Sequence, residues 1–349
     1  MERAAPRRVI LFVLIDGLAD VTLRELGNRT TLEAAKTPAM DAIARAGLNG
    51  LLDPVAPGFA CGSDTAHMSI FGYDPLIHYR GRGSFEAMGA GLPMDKGDVA
   101  FKCNFATVKK VLNAVSDTIH TQLSSHPINV QREQAGQPPA NIVLLRGPGE
   151  RINVPTFEEV HGLKAFMIAP TCIIAGLGMS LGIELIKAPG ATGDYHTNLV
   201  SKAETALQSI ERGSYDFGFV HVKAVDDAGH DKDVQKKVHF IEKADEMIAH
   251  LIEGFHDRLP GCEVTMVVTG DHTTPVIYGD HSFEPVPFAI ARGAAAWKAL
   301  NHPQEALPPT PLTDDVACFS EIAAARGVLG RFSGDQLMSI VKNFRSFDA

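Results

Sequence analysis

Three short, continuous runs of apolar residues mark the chain, at residues 9–15, 217–222 and 264–268. Runs of this length that are rich in β-branched residues are typical of strands buried on both faces of a parallel sheet. Acidic residues follow each run: Asp16 comes directly after the first, and Asp226 and Asp271 come soon after the second and third. The pattern predicts three parallel strands whose carboxyl ends carry polar side chains.

Helical patterns lie between these runs. Thr37 and Pro38 predict a helix start ahead of residues 39–46, with Gly47 as the stop. Apolar residues at helical spacing predict a second helix over 236–255, and a closing helix is predicted over 336–344. Alternating strands and helices predict an α/β fold, in which ligands bind outside the carboxyl ends of the strands.

The middle of the chain is less regular and predicts a smaller domain inserted into the first. It contains a helix-like stretch from about residue 109 and a strand candidate at 141–145. The uncharged run at 166–183 is long enough for a membrane span, but Pro170 and several glycines interrupt it, which favours a core strand followed by a turn. The predicted division is a main domain, residues 1–107 and 190–349, and an inserted domain, residues 108–189.

Composition and charge narrow the classes of partner. The chain has 349 residues, with 32 Lys and Arg against 41 Asp and Glu and a formal net charge of −9. An acidic chain without a basic tract is a poor candidate for binding nucleic acid or an anionic membrane. Its 5 cysteines form no C-x-x-C pair, which favours reduced thiols in the cytoplasm. The apolar run at 9–15 is short for a signal peptide, so we interpret it as a buried strand.

Carboxylates and imidazoles gather near the predicted strand ends, and both are suitable ligands for Zn²⁺ or Mn²⁺. They are Asp16, Asp226, His230, Asp271, His272 and His281. Asp226 and His230 are close enough in sequence for one turn to present both to one cation. Ser63 follows Gly62 ahead of an apolar segment, and two interpretations stay open: a helix N-cap, or a hydroxyl that a divalent cation activates as a nucleophile.

Several motifs, in order along almost the whole chain, resemble those of the archaeal-type cofactor-independent phosphoglycerate mutases of the alkaline phosphatase superfamily. They lie at residues 16–17, 62–67, 79–83, 104–107, 138–141, 145–147, 190–193, 223–231, 270–272 and 281–288. The resemblance implies an α/β fold with a mostly parallel sheet flanked by helices and a smaller inserted domain. It also implies a small phosphorylated substrate: 3-phosphoglycerate and 2-phosphoglycerate interconvert without added 2,3-bisphosphoglycerate.

The resemblance also implies two divalent cations, Mn²⁺, Zn²⁺, Co²⁺ or Mg²⁺, and a phosphoserine intermediate on Ser63. By position in the motifs, the first cation is held by Asp226, His230 and His281. The second is held by Asp16, Ser63, Asp271 and His272. Lys223 is a candidate cation for the substrate phosphate, with a solvated lysine at a strand end as the alternative.

The chain departs from the family after residues 104–107, where the family continues with a segment rich in Arg and His and this chain runs straight into residue 109. The inserted domain is therefore shortened relative to the family. Arg80, Arg82 and Arg146 remain as candidate substrate-binding residues. Three functions stay open: a phosphoglycerate mutase, a metal-dependent phosphomonoester hydrolase in which water intercepts the phosphoserine, and a catalytically impaired, truncated isoform.

Overall fold

The computed structural model describes residues 6–106, 114–305 and 310–347. Its strands are β1 (Arg7–Ile15), β2 (Gly47–Asp53), β3 (Val99–Ala106), β4 (Ile142–Glu150), β5 (Ala165–Ile168), β6 (Glu184–Leu185), β7 (Phe217–Val222), β8 (Cys262–Thr269), β9 (Val286–Arg292) and β10 (Gly330–Ser333). Eight of them form one sheet in the order β10-β2-β9-β8-β1-β7-β5-β6. Only β9 runs antiparallel to its neighbours in this sheet. The predicted mostly parallel sheet is confirmed.

Helices cover both faces of this sheet. They are α1 (Thr31–Ala34), α2 (Pro38–Arg45), α3 (Ser63–Ile70), α4 (Pro75–His78), α5 (Gly83–Gly89), α6 (Ala114–Ser124), α7 (Pro127–Gln134), α8 (Phe157–His161), α9 (Cys172–Ser180), α10 (Leu199–Glu211), α11 (Ala224–His230), α12 (Val234–Arg258), α13 (Gly293–Asn301), α14 (Glu321–Ala324) and α15 (Gly334–Ser346). The helices predicted over 39–46, 236–255 and 336–344 correspond to α2, α12 and α15. Thr37 is the N-cap residue of α2, as predicted, and Pro38 is its first residue.

The central strand β1 shows why its sequence is continuously apolar. Leu11 and Val13 point into a hydrophobic cluster that includes side chains of α2, α10 and α12. Phe12 and Leu14 point to the opposite face, into a cluster that includes side chains of α3, α9 and α15. Because successive side chains of a strand alternate between its faces, covering both faces buries the whole run.

The interpretation of residues 166–183 as a strand and a turn is partly wrong. The strand is present as β5, but the helix α9 follows it. The glycines that suggested a turn instead allow close helix packing: a Cβ at Gly176 would lie 1.9 Å from the carbonyl oxygen of Phe85 in α5. In the described ranges, no helix combines the length and apolar character that crossing a membrane requires.

A second, smaller sheet pairs β3 with β4 in antiparallel register. The small sheet thus begins before residue 108, and β5 and β6 belong to the large sheet although they precede residue 190. The division at 107/108 and 189/190 stays a prediction. The junction between residues 107 and 109, where the motifs predict that the family's segment is missing, lies outside the described residues.

A buried lysine joins the loops that follow β1 and β8, both of which carry predicted ligands. Lys237 of α12 is fully buried, and its Nζ lies 3.1 Å from the Asp20 carboxylate. The same ammonium donates hydrogen bonds to the carbonyl oxygens of Ala19 (3.0 Å) and Thr274 (2.7 Å). Burial lowers the pKa of Lys237, and the Asp20 carboxylate opposes that shift. The ammonium therefore holds two loops against one helix.

Lys237→Met should lower the free energy of unfolding by about 3–5 kcal/mol, because it leaves the buried Asp20 carboxylate without its cation. Urea denaturation followed by circular dichroism measures the change. Lys236→Met is the matched control: its Nζ faces Asp231 and Asp233 at the surface, and its loss should change stability by less than about 1 kcal/mol. Equal effects of the two substitutions would contradict the role assigned to Lys237.

Candidate metal centre

Three parallel, neighbouring strands bring three aspartates to one edge of the sheet. Asp16 follows β1 directly, Asp271 follows β8, and Asp226 lies in α11, which begins immediately after β7. The carboxyl ends of parallel strands meet at one edge, so these side chains converge. Ser63, the first residue of α3, and His281, from the loop before β9, complete the ring of donors around them.

Asp16, Asp271 and His272 form the inner group. One ligand atom from each lies within 4.8 Å of the others. His272 Nε2 is 3.5 Å from Asp16 Oδ1 and 3.2 Å from Asp271 Oδ2. Both of these carboxylate oxygens are buried, and neither has a hydrogen-bond partner within the described ranges. Ser63 Oγ lies beside the group, 3.1 Å from His272 Nε2.

Asp226, His230 and His281 form the outer group. His230 Nε2 is 3.3 Å from Asp226 Oδ2 and 3.2 Å from His281 Nε2. His281 Nε2 is in turn 3.6 Å from Asp226 Oδ1. The division between the groups is not sharp, because a ligand atom of His272 also lies within 4.8 Å of Asp226 and His281. The exposed Asp280 has a carboxylate oxygen within the same distance of His230 and His281.

The protonation of His272 follows from its neighbours. The hydroxyl of Thr274 donates its only hydrogen to Asp226 Oδ1 at 2.7 Å. The hydroxyl oxygen of Thr274 lies 3.1 Å from His272 Nδ1, so it accepts a hydrogen bond from that nitrogen. Burial lowers the pKa of His272 to about 3, so the ring is neutral. Its Nε2 therefore presents a lone pair toward Ser63 and the two free carboxylate oxygens.

His230 and His281 are oriented in the same way. Nδ1 of His230 donates to the carbonyl oxygen of Gly279, and Nδ1 of His281 donates to that of Cys61, both at 2.9 Å. Each ring thus turns its Nε2 toward Asp226. A second-sphere acceptor on one nitrogen of a histidine is the usual arrangement when the other nitrogen binds a metal.

The shifted pKa values of the three aspartates show how strongly their carboxylates interact with neighbouring charges. Burial raises the pKa of Asp271 well above its usual range, and the carboxylates of Asp16 and Asp226 raise it further. Burial would raise the pKa of Asp16 as well, but the charge of Lys223, the hydrogen bond with His221 and the nearby His272 together outweigh it, and the pKa falls below the usual range. The pKa of Asp226 is also lowered, because its bonds to His230 and Lys223 outweigh burial. Besides Lys223, His230 carries positive charge here, because its bond to Asp226 raises the pKa of His230 to about 9. The carboxylates and imidazoles present fit a pair of divalent cations.

Lys223 is not the solvated lysine of the alternative interpretation. Its side chain is 20% exposed, and its ammonium donates a hydrogen bond to Asp226. The same Nζ lies 3.5 Å from Asp16 and 3.8 Å from Asp227. The attraction of the carboxylates outweighs burial and raises the pKa of Lys223, so this side chain is a fixed positive charge at the mouth of the site.

The three predicted arginines do not lie together. Arg82 lines a cleft of about 320 Å³ that opens onto the donors, whereas Arg80 and Arg146 are exposed and do not line it. In the cleft, Glu86 bonds Arg82 at 2.7 Å and Lys102 at 3.1 Å. Sequence reasoning missed Lys102, because nothing in the sequence shows that β3 faces the strand ends.

Two further outcomes concern residues near Ser63. The N-cap of α3 is Gly62, so the interpretation of Ser63 as the cap is wrong. Sequence reasoning also missed two buried histidines below the inner group, His67 and His221. Each carried a signal: His67 comes one helical turn after Ser63, and His221 is the one polar residue in the apolar run 217–222.

Comparisons with known proteins agree with the geometry. A family model described as the Metalloenzyme superfamily matches residues 7–340. The 2,3-bisphosphoglycerate-independent phosphoglycerate mutase 1 of Methanothermobacter thermautotrophicus is 34% identical over 419 aligned positions, which take in 95% of this chain and 96% of that protein. The corresponding enzyme of Pyrococcus furiosus is 32% identical over 415 positions, with 95% of this chain and 96% of that protein covered. Both alignments are longer than the 349 residues of this chain, so these relatives have residues that it lacks.

Solved structures have the same fold. The PH0037 protein from Pyrococcus horikoshii is 34% identical, with a TM-score of 0.85 and coverage of 99% of this chain and 100% of that one. The cofactor-independent phosphoglycerate mutase from Thermoplasma acidophilum is 24% identical, with a TM-score of 0.64 and coverage of 97% and 100%. The resemblance of the motifs is therefore confirmed: the chain belongs to the Metalloenzyme superfamily and, within it, to the family of 2,3-bisphosphoglycerate-independent phosphoglycerate mutases.

Proposed function

We propose that this chain interconverts 3-phosphoglycerate and 2-phosphoglycerate, with Ser63 as the residue that carries the phosphoryl group in transit. The observation that carries the proposal is the position of Ser63 Oγ, 3.1 Å from His272 Nε2 and beside two buried carboxylate oxygens that have no donor in the described ranges, so that the hydroxyl lies among the ligands proposed for the inner cation. A hydroxyl so placed is suited to become a nucleophile. Membership of the family supports the same substrate.

The residues that would hold the cations are those of the two groups. The inner cation would be held by Asp16, Ser63, Asp271 and His272. The outer cation would be held by Asp226, His230 and His281. Bound divalent cations supply positive charge that makes the Ser63 hydroxyl easier to deprotonate and offsets the charge of the phosphoryl oxygens. The donor set accepts Mn²⁺, Zn²⁺ or Co²⁺, with Mg²⁺ suited chiefly to the carboxylates.

The transfer uses two displacements at phosphorus. Ser63 Oγ attacks the phosphorus of 3-phosphoglycerate, the bond from phosphorus to the 3-oxygen breaks, and glycerate is left with a free 3-hydroxyl. After glycerate turns, its 2-hydroxyl gives up its proton and attacks the phosphorus of the phosphoserine. The bond from phosphorus to Ser63 Oγ then breaks, and Oγ takes up a proton. Because the phosphoryl group comes from the substrate itself, no added 2,3-bisphosphoglycerate is needed. The role proposed for Lys223 is to neutralise phosphoryl oxygens during both displacements, since its ammonium faces the space between the groups.

The cleft beside the donors is the proposed binding place of the glycerate carboxylate. Besides Lys223, the basic residues Arg82 and Lys102 line it, and Glu86 holds both ready in the free enzyme. Arg80 and Arg146 lie outside the lining and are weaker candidates than their sequence motifs indicate. The acidic charge of the chain and its free cysteines support a small-molecule substrate in the cytoplasm rather than nucleic acid or a membrane surface.

The alternative is a phosphomonoester hydrolase with the same nucleophile, favoured by the shortness of this chain beside its relatives. A mutase must keep glycerate in place while it turns, whereas a hydrolase lets water reach the phosphoserine.

Purified chain supplied with Mn²⁺ and 3-phosphoglycerate should form 2-phosphoglycerate faster than inorganic phosphate. An assay coupled to enolase measures the first product, and a phosphate assay measures the second. Phosphate release that outpaces 2-phosphoglycerate would replace the mutase with the hydrolase.

Ser63→Ala should lower the turnover number by at least about a thousandfold, because no other described hydroxyl lies within bonding distance of His272 Nε2. The coupled assay measures the loss, and mass spectrometry of quenched wild-type enzyme should find phosphate on Ser63. Ser69→Ala, a buried serine in the same helix, is the matched control and should keep most of the activity. Undiminished activity of the Ser63 variant would refute the scheme.

Cation binding should stabilise the fold, because the cations neutralise carboxylates that are buried only in the folded state. At a Mn²⁺ concentration one hundred times Kd, chain first stripped with a chelator should gain about 2.7 kcal/mol of unfolding free energy. Differential scanning calorimetry with and without Mn²⁺ measures this gain. Asp271→Asn should lose most of it, whereas the exposed control Asp257→Asn should keep it. An unchanged melting temperature at every Mn²⁺ concentration would exclude a preformed site.

A further inference from the structure

Two histidines below the inner group take no part in the scheme above. The rings of His67 and His221 are fully buried, and their centroids are 5.2 Å apart. In the described part of the chain, Nε2 of His67 and Nδ1 of His221 have no hydrogen-bond partner. A buried nitrogen without a partner is unfavourable compared with an apolar side chain of similar size. Any function of these histidines therefore depends on the ring nitrogen that has a partner, which is Nδ1 in His67 and Nε2 in His221.

The partnered nitrogen of His67 contacts both the nucleophile and a predicted ligand. Its Nδ1 lies 2.6 Å from the backbone carbonyl oxygen of Ser63 and 3.6 Å from Asp271 Oδ2. A carbonyl oxygen only accepts, so Nδ1 carries the hydrogen. Burial, with help from the nearby His221, lowers the pKa of His67 to about 3, which leaves the ring neutral with this single N–H. His221 is arranged likewise: its Nε2 lies 3.1 Å from Asp16 Oδ2.

The surroundings of His67 fix the direction of this N–H. Its ring packs against Phe219 at 5.6 Å between centroids, nearly edge to face, and against Phe71 at 6.3 Å. His67 lies one turn after Ser63 in α3, so the bond spans the first turn of that helix. The other end of α3 has a similar bond, from His161 Nε2 to the carbonyl oxygen of Phe71 at 2.8 Å, but that bond is remote from the donors.

We propose that His67 is a positioning residue: its Nδ1–H anchors the first turn of α3 against Asp271, so that Ser63 Oγ faces the inner group. This deepens the proposed function and rests on it for the role of Ser63, but cation binding by the inner group tests it independently. An apolar side chain at this position would pack equally well between Phe71 and Phe219. It would remove the Nδ1–H group that lies beside both the Ser63 carbonyl oxygen and the Asp271 carboxylate.

The test compares three variants with the wild type. His67→Leu removes the N–H, His67→Asn keeps a donor at the place of Nδ1, and His161→Leu removes the matching bond at the far end of α3. Calorimetric titration of chelator-stripped chain with Mn²⁺ gives the affinity, the mutase assay gives kcat and KM, and thermal melting of the metal-free chain reports the packing.

We expect His67→Leu to weaken Mn²⁺ binding and to lower kcat by about 10–100-fold each, with KM within about threefold and the melting temperature of the metal-free chain unchanged or raised. His67→Asn should restore affinity and kcat to within about threefold of the wild type, and His161→Leu should leave both unchanged. If His67→Leu does not fold, His67→Gln replaces it, because its amide lies at the place of Nε2 and does not restore the bond to Ser63.

Wild-type Mn²⁺ affinity and kcat in His67→Leu would overturn the proposal. So would an Asn variant as impaired as the Leu variant, because the role of His67 would then be packing alone. If the wild-type chain shows neither mutase nor hydrolase activity, the proposed function fails, and the Mn²⁺ affinities of the Leu and Asn variants still decide whether His67 positions the inner group.

Discussion

Three carboxylates share one small buried volume at the edge of the large sheet, and the arrangement of the site follows from their mutual repulsion. Asp16, Asp226 and Asp271 are each almost fully buried, with Lys223 as the lysine among them. Like charges at such distances are tolerated only if cations or protons neutralise them. Among the residues that the structure describes, two carboxylate oxygens have no donor, and three imidazole Nε2 atoms turn toward the same space. Both features have one physical explanation, which is the binding of divalent cations.

Holding these charges together requires a rigid support, and the large sheet supplies it. β1, β7 and β8 are parallel neighbours whose side chains are buried on both faces, so their carboxyl ends are fixed relative to one another. Lys237 then joins the loops after β1 and β8 through two carbonyl oxygens and Asp20. Groups that must hold a cation within a fraction of an ångström are therefore placed at the ends of strands and held by a buried ion pair.

This chain is shorter than the curated mutases that it resembles. The alignments with curated mutases extend beyond the 349 residues of the chain, so some of the residues available to those enzymes are absent. The described lining of the cleft includes the cluster of Arg82, Glu86 and Lys102, in which one carboxylate holds two cations. A substrate carboxylate would compete with Glu86 for them.

The order of apolar and polar residues was sufficient to predict the strands β1, β7 and β8, the parallel sheet and the gathering of aspartates at its edge, because burial on both faces requires a continuous apolar run. The family motifs predicted the donor set, and the structure brings those side chains together at this edge. The helix α9 was missed because Gly176 serves close packing against α5, a contact that only the tertiary structure defines. For the same reason the sequence did not show that Arg82 lines the cleft whereas Arg80 does not. It also did not reveal that Thr274 sets the protonation of His272, or that His67 bonds the Ser63 carbonyl. Periodicity along a chain reports which side chains are buried, whereas hydrogen bonds between distant segments depend on how those segments meet in space.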